Sequence, residues 1–202
     1  MNRHFETPTI RFYDEHAADY VRATVDVNME TLYEPFLSRI PKGGRILDAG
    51  CGSGRDSRAF LDRGYSVVSI DASKMMVDAT TQLTDQQAHL MAFQEISFSD
   101  EFDGIWACAS LLHVPSIELT DVFGKLVSAL RSSGVAYASF KEGHGERRHD
   151  QRLFTDMDEP GITELVGGIA GLELLRLWHT ADQRSDRKDR WLNVLLRKGD
   201  QA

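Results

Sequence analysis

Residues 46–56 read Ile-Leu-Asp-Ala-Gly-Cys-Gly-Ser-Gly-Arg-Asp. A short apolar run ends in Asp48, and glycines follow at alternate positions, Gly50, Gly52 and Gly54. A strand that stops at a turn almost without side chains lets a ligand lie against bare backbone. A second strand, Ser66 to Ile70, ends in Asp71. Glycines at one strand end and an acid at the next are how α/β folds hold a nucleoside: the glycines admit it and the acid takes its ribose hydroxyls.

Spacing narrows the nucleoside. A dinucleotide fingerprint needs a glycine three residues after its second one. Counted from Gly50 or Gly52, that place is taken by Arg55 or Ser57. The Gly-Lys-Ser/Thr of a phosphate loop is also missing. An acid ahead of the glycines would repel phosphate and favour a cationic ligand. The pattern h-x-Asp-x-Gly-x-Gly-x-Gly resembles the first motif of the class I S-adenosylmethionine methyltransferases. That ligand has a sulfonium, an ammonium and no phosphate. The glycine spacing disfavours a nicotinamide oxidoreductase.

The chain has 202 residues, enough for one α/β domain with a sizeable core. Residues 1–202 are expected to form one domain, with 1–40 as a helical cap. No apolar run approaches the ~20 residues of a membrane span, and Met1 to Thr9 lacks the apolar core of a signal peptide. Cys51 sits in the glycine turn and Cys108 in an apolar strand, without a C-x-x-C partner. Reduced thiols, a cytoplasmic location and no cysteine-based zinc site follow as expectations. The formal charge of −8 argues against broad nucleic-acid binding.

Apolar periodicity predicts helices within 11–40, at 54–62, 74–83, 115–131 and 162–169. Ser73 is the expected cap of the third. Strands are predicted at 45–48, 66–71, 89–93, 102–109, 135–140, 172–178 and 191–197. Alternating strands and helices mean a parallel sheet covered on both faces. The last two strands lack a helical crossover and should pair antiparallel. The resemblance implies a Rossmann-like sheet of seven strands, six parallel and one antiparallel.

Ligands of open α/β sheets bind where the strands end. By resemblance, the backbone of Gly50, Cys51 and Gly52 lies against the methionine part of S-adenosylmethionine. Asp48 holds the loop near the ammonium, and Asp71 accepts the ribose diol. Ala72 and Met75 could pack on adenine. Strand three lacks the usual terminal Asp; the stretch is Phe93-Gln94-Glu95-Ile96, and Gln94 or Glu95 could meet the adenine amino group. Ala109 follows strand four, where the family's backbone passes the sulfonium. Tyr20 and Arg22, on the cap, are candidates for closing the site and for the methionine carboxylate. Methyl transfer is an in-line displacement that mainly needs alignment. His113, just past strand four, could orient or deprotonate an acceptor, having an ordinary pKa near ~6.5. No carboxylate set suggests a metal.

Two charged segments, 141–154 and 182–190, leave the sheet edge that carries this site. The first has two glycines and no periodicity, as binding loops and lids do. Each is net positive on an acidic chain. Arg148, Arg152, Arg187 and Arg190 are the candidate contacts of an anionic acceptor. The block 102–115 resembles small bacterial methyltransferases related to the tellurite-resistance group. Arg152-Leu-Phe-Thr, Glu164-Leu165 and 188–193 resemble the tail of tRNA wobble-uridine carboxyl methyltransferases. The expected function is methyl transfer to a small polar or anionic acceptor. The alternatives are a tRNA carboxyl methyltransferase and a protein that binds S-adenosylmethionine without turnover.

Overall fold

A computed structural model describes residues 6–184 and 187–199. The chain opens with three short helices, α1 (Pro8–Glu15), α2 (Ala17–Thr24) and α3 (Glu30–Leu37). Thr7 caps α1 through its side chain and Pro8 takes the first turn, where a missing N–H costs nothing. Then follow β1 (Arg45–Ala49), α4 (Arg55–Asp62), β2 (Ser66–Asp71), α5 (Lys74–Thr84), β3 (His89–Leu90) and β4 (Phe102–Ala107). The second half comprises α6 (Ser116–Ala129), β5 (Leu130–Lys141), β6 (Gly145–His149), β7 (Arg152–Asp156), α7 (Glu159–Gly167), β8 (Leu172–Ala181) and β9 (Arg190–Lys198).

Seven strands form one sheet in the order β3-β2-β1-β4-β5-β9-β8. The pairs from β3 to β5 are parallel, and β9 runs antiparallel to both β5 and β8. Six strands therefore share a direction and β9 opposes them, as expected. Alternate side chains of the central strands divide the core. Trp106, Val135 and Tyr137 face one side, packed with Tyr33, Phe36 and Phe60. Ile105, Ala136, Ala138 and Phe140 face the other, against Val122, Phe123 and Ile162. Central strands buried on both faces read as continuous apolar runs, which is why β1 and β4 were recognisable.

The structure differs from expectation in three places. β3 is two residues long, because Phe93–Glu95 coils into a 3-10 turn held by the Glu95 carboxylate on Ala92 N–H at 2.8 Å. β4 ends at Ala107, two residues early, and Ala109 then turns with φ +52°. Within 141–154 the chain forms a hairpin, β6 against β7. All five β6 residues are exposed, so no alternation marks that strand in the sequence. Among the described residues no helix is long and apolar enough to cross a membrane.

Candidate functional site

The β1 strand stops at a turn in which Gly50, Gly52 and Gly54 have φ of +84°, +53° and +81°. Side chains strain this conformation. A Cβ on Gly50 would meet Ser110 Cβ at 2.4 Å, and one on Gly52 the Tyr20 ring at 3.3 Å. Backbone N–H groups of Gly50 and Cys51 donate to Ile70 O at 2.9 and 3.0 Å, which holds the turn against β2.

Asp71 ends β2 beside this turn. One carboxylate oxygen accepts Gly52 N–H at 3.0 Å and the other Ser73 N–H at 2.9 Å. Burial pushes its pKa up to about 6, against these lowering hydrogen bonds. Each carboxylate oxygen still has a lone pair for a diol.

A cavity of about 290 Å³ begins here. Gly50, Gly52, Ile70, Asp71, Ala72, Met91, Phe93 and Gln94 line it from the sheet side, and Thr9, Ile10, Tyr13 and Tyr20 from the cap. Of the two residues weighed at the adenine end, Gln94 faces the cavity and bonds Glu118 at 2.7 Å. Glu95 is spent on the 3-10 turn, and Ile96 is core, 2% exposed.

Several expected contacts lie elsewhere. Asp48 sits behind the turn, 2% exposed, accepting Ser57 Oγ at 2.5 Å. Burial and the Asp56 carboxylate raise its pKa, and the side chain ties β1 to Ser57 of α4 and lines neither cavity. The Cys51 thiol faces Val77 and Ala88, and Thr80 Oγ donates to it at 3.3 Å. Met75 is 46% exposed and points away; its neighbour Met76 lines the cavity. Helical phase explains the swap, since the face toward the sheet takes 76, 77 and 80. Arg22 is exposed, pairs with Asp19 and lines neither cavity.

A second cavity, about 780 Å³, lies between the cap, the β6–β7 hairpin and the β8–β9 connection. Among the described residues, six basic side chains border it, Arg55, Lys141, Arg147, Arg152, Arg184 and Arg187, against four acids, Asp19, Asp150, Asp182 and Asp189. Of the four candidate arginines, Arg152 and Arg187 line this cavity, and Arg148 lines the first one. Arg190 is outside both and pairs with Glu142 at 2.9 Å. Below the floor, Arg55 forks onto Asp56 at 2.7 and 2.9 Å. Asp56 also accepts Tyr33 Oη at 2.5 Å and Trp106 Nε1 at 2.8 Å. Burial would raise this carboxyl's pKa, but Arg55 and the two donors outweigh it and hold it below the usual carboxylate range.

Four residues line both cavities: Tyr13, Tyr20, Ala109 and His113. His113 Nδ1 is 2.6 Å from Leu153 O, and Nε2 is 2.8 Å from Tyr13 Oη. A carbonyl only accepts, so Nδ1 carries the hydrogen and Tyr13 donates to Nε2. Burial brings the His113 pKa down to about 4, with Arg152 and Lys141 adding to it against the Leu153 carbonyl. The imidazole is thus neutral at physiological pH. Sequence reading missed Tyr13. No signal in the sequence marks it, since helical phase alone does not say which face of α1 meets the cleft.

Residues 46–134 match the family model described as a methyltransferase domain. Magnesium-protoporphyrin O-methyltransferase of Rhodobacter capsulatus is 31% identical over 114 residues, 52% of this chain and 51% of that protein. The 2-methyl-6-phytyl-1,4-hydroquinone methyltransferase of Synechocystis is 30% identical over 199 residues, 89% of this chain and 62% of that protein. The chain thus spans less than two thirds of these curated relatives. Among solved structures, the 1,6-didemethyltoxoflavin-N1-methyltransferase of Burkholderia thailandensis superposes with a TM-score of 0.78 at 21% identity. The match covers 95% of this chain and 87% of that one, which was solved with 1,6-didemethyltoxoflavin and S-adenosylhomocysteine. The fold is the seven-stranded Rossmann-like methyltransferase fold.

Proposed function

We propose that this chain is an S-adenosylmethionine-dependent methyltransferase acting on a small, anionic or polar acceptor. The observation that carries the reading is the meeting of two cavities at Tyr13, Tyr20, Ala109 and His113. One is a nucleoside cleft with bare glycine backbone and a diol-competent acid; the other has a basic lining. The glycine turn has no room for a Cβ at Gly50, and the acid beside it suits a phosphate-free nucleoside. Gly50, Gly52, Asp71, Ala72 and Gln94 would hold S-adenosylmethionine. When bound, that group supplies an activated methyl on a sulfonium.

The protein's own part is alignment and exclusion of water. Tyr20 lies over Gly52, and α1 covers the cleft. Arg152 and Arg187 would take the acceptor's negative group. The relatives support a small-molecule acceptor, since two are named for a porphyrin and a hydroquinone. The tail positions Asp189, Trp191 and Asn193 line the second cavity, where a small acceptor would sit.

Calorimetric titration with S-adenosylmethionine, S-adenosylhomocysteine and NAD tests the cofactor. Binding of the first two and not NAD is expected; NAD binding in their place would overturn the reading. Formation of S-adenosylhomocysteine with a small-molecule pool tests turnover. Label transfer to tRNA alone, with a steep loss of binding in salt, would move the reading to tRNA.

A further inference from the structure

At the junction, the cap hangs a phenol over a histidine whose tautomer is fixed from behind. Leu153 O takes the hydrogen of His113 Nδ1, and His113 Nε2 takes the hydrogen of Tyr13. Tyr13 has no second hydrogen to give, and the Arg152 guanidinium donates toward its oxygen, so what the oxygen still offers to a neighbour is a lone pair and not a hydrogen. We infer that Tyr13 receives the proton of the methyl acceptor, with His113 behind it as the relay, and that the acceptor's nucleophile is an O–H or ring N–H group. The inference rests on the methyl-transfer reading. A carboxylate or thiolate would bring lone pairs against lone pairs at this point and has no proton to hand over.

The step balances without a further reactant. The acceptor's lone pair forms the bond to the methyl carbon, and the carbon–sulfur pair departs with sulfur. The proton of the acceptor passes to Tyr13 Oη as the phenolic proton passes to His113 Nε2. The O–H or N–H pair stays on the acceptor, whose methylated atom ends neutral while its anionic group keeps its charge, and the imidazolium later returns its proton to solvent. Tyr13 faces Arg152 from β7, Asp71 from the end of β2, and Arg184, with Tyr20 edge-on at 5.2 Å. His113 faces Arg152 and Lys141. Burial, with these cations adding to it, keeps the histidine neutral and therefore able to accept. Its weak basicity suffices, because an O–H or N–H group becomes strongly acidic as it gains a methyl group.

Four anionic probes test this with the full chain: 4-hydroxybenzoate, benzimidazole-5-carboxylate, benzoate and 2-mercaptobenzoate. S-adenosylhomocysteine is expected from the first two only. Tyr13→Phe should lower kcat by about 100-fold or more and leave S-adenosylmethionine affinity within about twofold. His113→Gln restores a hydrogen-bond acceptor for Tyr13 but no proton site, so it should lose as much; a merely structural histidine would be rescued. In the unloaded protein, nitrogen NMR should show the neutral Nδ1–H tautomer above about pH 5, and Tyr13→Phe should move the Nε2 resonance. An Nε2–H tautomer overturns the inference. So does preference for benzoate or 2-mercaptobenzoate, rescue by His113→Gln, or no turnover of any probe while S-adenosylmethionine binds. Failure of S-adenosylmethionine to bind instead sinks the reading beneath it.

Discussion

The Asp14 carboxylate on α1 accepts the Ser73 hydroxyl at 2.6 Å, so the serine that caps α5 also fastens the N-terminal cap over the cavity at the glycine turn. The same carboxylate oxygen accepts Met75 N–H at 3.2 Å. Hydrogen bonds to a charged group contribute about 1.5–3 kcal/mol. Asp14→Ala should therefore weaken S-adenosylmethionine binding and speed amide exchange in α1 more than in the sheet. Calorimetry and hydrogen exchange check this; equal exchange in α1 before and after substitution would show that the contact does not secure the cap.

Asp71 gives a pH signature. Its folded pKa, about 6, exceeds the ordinary aspartate value, so the unbound fold loses stability as pH rises through that interval. A diol donates to the ionised form, so binding expels a proton. Affinity for S-adenosylmethionine should climb with pH toward about 6 and level off above it, and Asp71→Asn should lose the slope. Titrations in buffers of different ionisation enthalpy count the proton. A pH-independent affinity would remove the diol assignment.

Removing one member of a buried ion pair leaves the other uncompensated, at about 3–5 kcal/mol. Asp56→Ala strands Arg55 and also deprives Tyr33 and Trp106 of their acceptor. The midpoint of urea unfolding should fall accordingly with an unchanged slope. A loss below about 1 kcal/mol would place the pair among exposed ones.

Arg152 stands between rings, its guanidinium carbon 4.2 Å from the Phe12 centroid and 5.2 Å from that of Phe154. Its buried Nε has no hydrogen-bond partner among the described residues. On the proposed reading, an anionic acceptor would satisfy that N–H and compete with Asp150, 3.5 Å from the guanidinium. Arg152→Met should raise KM for an anionic acceptor by about tenfold or more and leave S-adenosylmethionine affinity unchanged. A normal KM in the steady-state rates would exclude Arg152 from recognition.

The sheet was legible because β1, β4 and β5 are buried on both faces, and unbroken apolar runs survive any error of register. The strand-end positions of Asp71 and the glycines were legible for a related reason: backbone demands at a strand end dictate residue type. Contacts made through helix phase were not. Met75 and Met76 are chemically alike, and only the docking of α5 decides between them. The β6–β7 hairpin left no pattern, because a strand exposed along its length places no alternating demand on its side chains. Glu95 was misread because a carboxylate that closes a local turn looks, in sequence, like one offered to a ligand.

The two chambers meet at four residues and otherwise have separate walls, and that arrangement governs the choreography of a catalytic cycle. On the proposed reading, spent donor and finished product occupy different chambers. Neither must wait for the other to leave, and inhibition patterns from the two products should show random departure.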